Sequence, residues 1–404
     1  MNLYLFESPL SVILAISLLL LSALIGISQS PKKVISGKKG KGIASTALSI
    51  SAILVAIEGT FNFSSEIHRS VPFIIIVAAL LVFLGSSIFE NITSRKFSLK
   101  LFTHIGLFLM IAGGFFGAPD HSDSQIAVTR EVAENTSYTT KGEIVPLPFK
   151  IRLKEFQIEY YEDGKSPKQY RSTLEIDGKE FTTQVNSPCR YHGYLLLQAD
   201  YDHIEGKYSV LRVVKDPWLP VVFIGMTLMA IGALLMMKKV WNNTAILIIA
   251  LVLAVVFGIV SVARISFGTL MPALRSLWFI PHLIIYMLAY SMMAISLISG
   301  LFFPSLYDLS RKIFASSSHL LLLGMLCGAV WAQYAWGSWW EWDPKECWAA
   351  ATWLLSLSAM HIPGKKKKKR LYLLLVILSF LAIQITWYGV NWLPSAQFSM
   401  HTYN

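Results

Sequence analysis

Charge is scarce in this chain. Asp, Glu, Lys and Arg make up 15% of its 404 residues, while 54% are hydrophobic. A soluble domain of that length carries about 25% charged residues, so an ordinary water-soluble globule is excluded. Cysteine is also scarce: Cys189, Cys327 and Cys347 are the only three. An odd number at unrelated spacings supports neither a disulfide framework nor a zinc finger. The chain has no Gly-rich phosphate loop, no Ser-His-Asp spacing, no nucleotide motif and no fixed-period repeat, which removes the common soluble enzyme classes.

Long apolar runs are abundant. A run of about 18 apolar residues crosses a hydrocarbon core about 30 Å thick. Ten such segments are read, at roughly 10–27, 43–57, 71–89, 101–118, 218–237, 243–263, 279–303, 317–333, 348–362 and 371–392. The second and ninth are short. The predicted fold class is an all-α polytopic membrane protein of about ten transmembrane helices with one small extracytoplasmic β-rich domain. Its parts are N-terminal helices (1–118), the β-rich insert (119–216) and a second membrane unit (217–404). Glu7 precedes the first run and the basic residues follow it, which argues against a cleaved signal peptide.

The net charge of +11 would suit a nucleic-acid partner, but its distribution points to membrane topology instead. Lys32, Lys33, Lys38, Lys39, Lys41, Arg95, Lys96, Lys100, Lys238, Lys239, Arg311, Lys312 and the run Lys365 to Arg370 place 18 cations in short loops on one side. The short loops opposite hold only Arg69, Arg264, Arg275 and Lys345. The positive-inside rule then puts both termini and residues 119–216 outside. No nucleic-acid partner is expected.

The insert reads as strands. Ile151, Leu153, Phe156, Ile158 and Tyr160 alternate with polar residues, with one break; Asp163-Gly164 and Asp177-Gly178 are turn signals; Gly193–Ala199 and Tyr208–Val214 are further strands. A small β-sandwich or β-barrel is expected, with His121, His192 and His203 as surface histidines and Cys189 as a semi-buried thiol.

Tryptophan is concentrated. Of 12 in the chain, Trp331, Trp336, Trp339, Trp340, Trp342 and Trp348 fall in WAQYAWGSWWEWDPKECW, between the eighth and ninth segments on the outer side. An interfacial belt needs only scattered indoles. This density suits a flat apolar platform for a planar ligand, with Trp336 and Trp340 on one face if the stretch is helical. Asp343-Pro344-Lys345-Glu346 reads as the N-cap, first position and capping box of segment nine, and a direct catalytic role for Asp343 is the weaker alternative.

Histidine position is a second signal, because ionisable groups inside membrane segments are costly. His104 lies four residues past Lys100 and His361 four before Lys365, each roughly 6 Å inside the inner boundary. His282 opens segment seven at the outer face, and His401 follows segment ten. Two depth-matched pairs of imidazoles suit haem iron. His319, near the inner start of segment eight, competes for either inner place, whereas His68 reads as a surface residue. The chain has no Cys-x-x-Cys-His and so carries no c-type haem of its own.

The segment WGSWWEWDPKECW resembles the tryptophan-rich WWD signature of haem-handling proteins, and VWAQYAWGSWWEWDPKE looks most like the CcsA (ResC) branch of the system II cytochrome c synthases. The likeness runs from LMPALRSLWFIPH through TWLLSLSAMH to WYGVNWLPSAQFSMHTY, roughly residues 218–404. HIGLFLMIAGG and PFKIRLKEFQIEYYEDGKSPKQYRSTLEI resemble the CcsB (ResB) partner, so the chain looks like a fused CcsB–CcsA synthase with a shortened CcsB part. The resemblance implies His282 and His401 as outer axial ligands and His104 and His361 as inner ones. It further implies haem b as the bound group and the Trp336, Trp339, Trp340, Trp342 and Asp343 segment as its platform. Cys347 stands where the family commonly has Thr, and His401 is framed as Ser-Met-His-Thr-Tyr.

The implied activity is a haem lyase of the bacterial inner membrane. It moves haem to the periplasmic face and joins it to the Cys-x-x-Cys-His of an apocytochrome c, with a thiol reductant protein as a further partner and lipid as solvent. The alternatives are a haem exporter without lyase activity, a b-type electron-transfer cytochrome and a non-catalytic scaffold.

Overall fold

The computed structural model describes residues 9–29, 38–61, 67–95, 98–240, 244–362 and 368–399. Every apolar segment forms a helix: α1 (Leu10–Gln29), α2 (Lys38–Phe61), α3 (Val71–Thr93), α4 (Lys100–Ile111), α5 (Leu219–Val240), α6 (Thr244–Phe267), α7 (Phe279–Phe302), α8 (Tyr307–Trp336), α9 (Pro344–His361) and α10 (Lys369–Trp387). Among the described residues seven are long and apolar enough to cross a membrane: α1, α2, α3, α5, α7, α8 and α10. Seven of the ten expected spans thus meet the length and apolarity of a crossing helix over their described residues. α4 has 12 residues and is prolonged by a π turn, Ala112–Phe116. α9 begins with charged residues, and α6 runs 24 residues from Thr244 to Phe267.

Small and polar side chains hold the helices together, as expected where lipid is as apolar as leucine. α4 and α5 meet at backbone distance: a Cβ on Gly106 would lie 2.5 Å from the Gly225 carbonyl oxygen, and one on Gly225 2.7 Å from that of Gly106. Ser45 and Ser49 of α2 each share a hydrogen bond with the Ser358 hydroxyl of α9, at 2.9 and 2.8 Å. Ser317 of α8 donates to the Ala289 carbonyl of α7 at 2.8 Å. Arg311 of α8 donates to the Ile362 carbonyl at 3.0 Å, closing the end of α9 beside His361.

Between α4 and α5 lie eight strands, β1 (Ser122–Thr129), β2 (Glu134–Tyr138), β3 (Ile144–Tyr160), β4 (Pro167–Ile176), β5 (Lys179–Gln184), β6 (Cys189–Tyr191), β7 (Tyr194–Tyr201) and β8 (Tyr208–Lys215). They form one antiparallel sheet in the order β5-β4-β3-β2-β1-β8-β7-β6. The sheet curls almost to a barrel: Thr183 of β5 donates to the Leu196 carbonyl of β7 at 2.8 Å, and Ser172 of β4 to Gln198 of β7 at 2.6 Å. Ile126, Leu147, Phe149, Ile151, Leu153, Leu174, Leu196 and Leu211 fill it. The break in the β3 alternation is a bulge between Leu153 and Glu155. Asp177 (φ +47°) and Gly178 (φ +76°) make the two-residue hairpin between Ile176 and Lys179, where both central residues need positive φ. His192 and His203 are exposed and His121 is half-buried. Cys189 is buried, and that burial pushes its thiol pKa up.

Candidate functional site

One end of the helix bundle holds a cavity of about 430 Å³, within the size range of cofactor pockets. His104 of α4, His319 of α8 and His361 of α9 all line it, with Lys41 and Lys100 on the same lining and Met229, Phe83 and Trp353 among the apolar walls. The structure therefore joins the two inner histidines expected from the sequence and adds the competitor to them. Two of the rings, His361 and His319, are oriented by hydrogen bonds to their own helices. The Nδ1 of His361 lies 2.8 Å from the Leu357 carbonyl one turn back, and that of His319 is bonded to the Ala315 carbonyl. A carbonyl only accepts, so Nδ1 carries the hydrogen and Nε2 the lone pair, the tautomer that a metal-ligating imidazole needs.

The other end carries the tryptophans. α8 ends at Trp336 because Gly337 takes the left-handed conformation (φ +86°). Residues 337–343 are therefore not helical. The conditional expectation that Trp336 and Trp340 share a helix face is corrected by this stop. The indoles fall into two groups instead. Trp331 and Trp336 meet edge to face with centroids 5.1 Å apart, and Trp331 lies 5.9 Å from the His282 ring. Trp339 and Trp340 are 6.4 Å apart, and Trp340 and Trp342 are 5.8 Å apart.

His282 sits in the first turn of α7. Its Nδ1 is 2.8 Å from the Gly324 carbonyl of α8, so this ring too keeps its lone pair on Nε2. Gly328 makes the room: a Cβ there would lie 2.6 Å from His282 Cε1. Residues of the N-terminal part frame the second indole group. A Cβ on Gly114 would stand 2.3 Å from the Trp339 ring.

His68 is not the surface residue that the sequence suggested. Its ring stacks on Trp342 with centroids 4.6 Å apart and planes 8° apart, and its Nδ1 is 2.8 Å from the Glu58 carboxylate. Glu58 is 5% exposed, and among the described residues its second carboxylate oxygen has no hydrogen-bond partner. Trp342 itself is left-handed (φ +58°), a strained state for a bulky residue, and its carbonyl accepts from the Cys347 thiol at 3.3 Å. Only a fold that brings α2 onto α9 makes this cluster, so no local pattern foretold it.

Asp343 is the N-cap of α9. It accepts from the Lys345 N–H at 2.7 Å, and Glu346 returns the bond to the Asp343 N–H at 3.3 Å, completing the expected capping box. Asp343 also accepts from Ser399 at 3.2 Å, so the tail after α10 is delivered to the tryptophan segment. His401, two residues beyond, lies outside the described residues.

The β domain docks on the same segment through Arg212. Its guanidinium donates to Asp123 at 2.6 Å, to Glu341 at 2.7 Å and to the Trp336 carbonyl at 2.6 Å. Burial would lower its pKa, but Asp123 and Glu341 outweigh that and hold it above the ordinary arginine value. Leu197 and Val214 pack on Gly337 beside it.

Residues fit for haem thus occur at both ends: lone-pair imidazoles in an apolar cavity with lysines on its lining, and an imidazole beside clustered indoles. Residues 98–208 match the model of the ResB-like family, and residues 218–396 that of the cytochrome C assembly protein family. The first match includes His104; the second includes His282, His319, His361 and the tryptophan segment. The cytochrome c biogenesis protein CcsA of Prochlorococcus marinus (strain MIT 9312) is 34% identical over 178 residues, covering 34% of this chain and 57% of the relative. The protein of that name in Chlamydomonas reinhardtii is 36% identical over 143 residues, covering 30% and 40%. That of Porphyra purpurea is 39% identical over 100 residues, covering 24% and 30%. The chain therefore spans about half the length of the curated relatives it matches. One polypeptide thus carries a ResB-like part followed by a cytochrome C assembly part, the composition of a fused ResB–CcsA protein.

Proposed function

We propose that this chain is a cytochrome c synthase of a bacterial inner membrane, carrying haem b from the cytoplasmic to the periplasmic face and joining it there to apocytochrome c. The observation that carries the reading is the recurrence of imidazoles with the same Nδ1–H to carbonyl orientation at both ends of one helix bundle. In this reading residues 1–118 and 217–404 are the membrane units, and 119–216 is the periplasmic domain.

His104 and His361 supply the inner axial nitrogens, with Lys41 and Lys100 facing the haem carboxylates. His282 and His401 supply the outer ones. Trp336, Trp339, Trp340 and Trp342 cover the porphyrin face and exclude water, while Asp343 holds the segment and tail in register. The apocytochrome brings two reduced thiols, kept so by a thiol reductant protein. Each S–H adds across a vinyl C=C: a C–S bond forms, the S–H bond breaks, and the hydrogen goes to the other vinyl carbon. No net electron is transferred. Positioning dominates the catalysis, because two large partners are turned into one near-unimolecular pair.

The test is co-expression with a Cys-x-x-Cys-His apocytochrome in a bacterium without its own synthases, followed by haem staining of a denaturing gel. A stained cytochrome band is expected. Haem that co-purifies with this protein while no band forms assigns it to export alone.

A further inference from the structure

The cavity collects three imidazoles, and porphyrin iron has only two axial positions. His319 is the extra one. It is 8% exposed, at the start of the apolar run Leu320–Leu323 of α8, and a buried polar ring within a membrane helix is expensive unless it serves a purpose. Its Nδ1–H is satisfied one turn back by Ala315, as that of His361 is by Leu357. Among the described residues neither Nε2 has a hydrogen-bond partner, and both rings line the cavity. The depths differ. His361 is the last residue of α9, and Arg311, which holds the next carbonyl, lies eight residues before His319 in α8, about 12 Å along that helix. The third imidazole therefore stands further along the path toward the tryptophan end. No Asp or Glu lines the cavity among the described residues, so nothing competes with the iron for these nitrogens.

We propose that His319 is an exchange ligand, which takes the place of His361 on the haem iron as the haem leaves the entry position. In that step the iron–Nε2 bond to His361 breaks and one to His319 forms. Both Nδ1 protons stay on their carbonyls, so no proton or electron moves. An imidazole waiting one step outward lets the iron stay six-coordinate, which removes the energetic cost of a half-bare metal in an apolar wall.

This rests on the inner haem site proposed above, and the test separates the two. The full chain is purified in detergent in a His282→Ala background, loaded with haemin, and read by absorption and electron paramagnetic resonance. Added His361→Ala should leave most of the haem six-coordinate and low-spin. Adding His319→Leu to that should turn it high-spin or weaken binding by about tenfold or more, and free imidazole should restore the low-spin spectrum, which shows that the variant is folded. If His361→Ala alone is already high-spin, His319 is not an exchange ligand and the two-histidine site stands. If His282→Ala protein binds no haem at all, the inner site and this proposal both fail.

Discussion

The two ends of the bundle hold imidazoles by different means. At the cavity end, His319 and His361 are each tied to a carbonyl of their own helix, so each ring moves with its helix as a unit. At the tryptophan end, His282 of α7 is tied to α8 through Gly324, seated against Gly328 and flanked by Tyr286 and Trp331. A ring anchored across two helices is fixed relative to both. The cavity-end rings are thus free to shift with single helices, while the tryptophan-end ring is not.

Substitutions break that comparison in graded ways. His282→Ala should have the largest effect, lowering outer-site haem by more than the 10–100-fold that outer-shell changes cost, as read by haem content and optical spectrum. His361→Ala should cost much less, since its neighbour can substitute. Gly328→Ala comes next. Its methyl would strike the imidazole, so outer-site affinity should drop by about 10–100-fold with helix content intact, whereas Gly258→Ala, with its nearest neighbour at 3.8 Å, should do neither. Arg212→Ala leaves Asp123 and Glu341 facing each other half-buried; the expected loss is about 1–3 kcal/mol, reduced from the buried-pair range for partial exposure, with Arg212→Lys recovering part, by thermal unfolding. His68→Ala removes both the stack on Trp342 and the partner of buried Glu58; the expected loss is about 1–3 kcal/mol by thermal unfolding, with a change in tryptophan fluorescence that His68→Phe reverses while recovering only the stacking part of the stability.

The membrane segments were legible because length and apolarity are one-dimensional properties. Their limits were less so: α8 starts at Tyr307, ten residues before the expected 317, since its first turns carry Arg311 and Lys312. The tryptophan segment defied a helical reading through one residue, Gly337, which takes a left-handed turn with Leu197 and Val214 packed against it. β3 and β8 alternate and were found, β7 was found as a short apolar run, and β2, mostly polar, was not. Of the site, the inner pair was read from depth alone. His68 was misjudged because its cover, Trp342, is supplied from 274 residues away, and burial of that kind leaves no trace beside the residue in the chain.

The glycine contact between α4 and α5 has a mechanical consequence. These helices are the two roots of the β domain, and Trp218 at the second root donates to Asp120 at the first, at 2.7 Å. The domain is thus mounted on a double post with no slack between its legs. Any tilt of the sheet would be shared by both legs, and His104 lies two residues from the glycine that joins them.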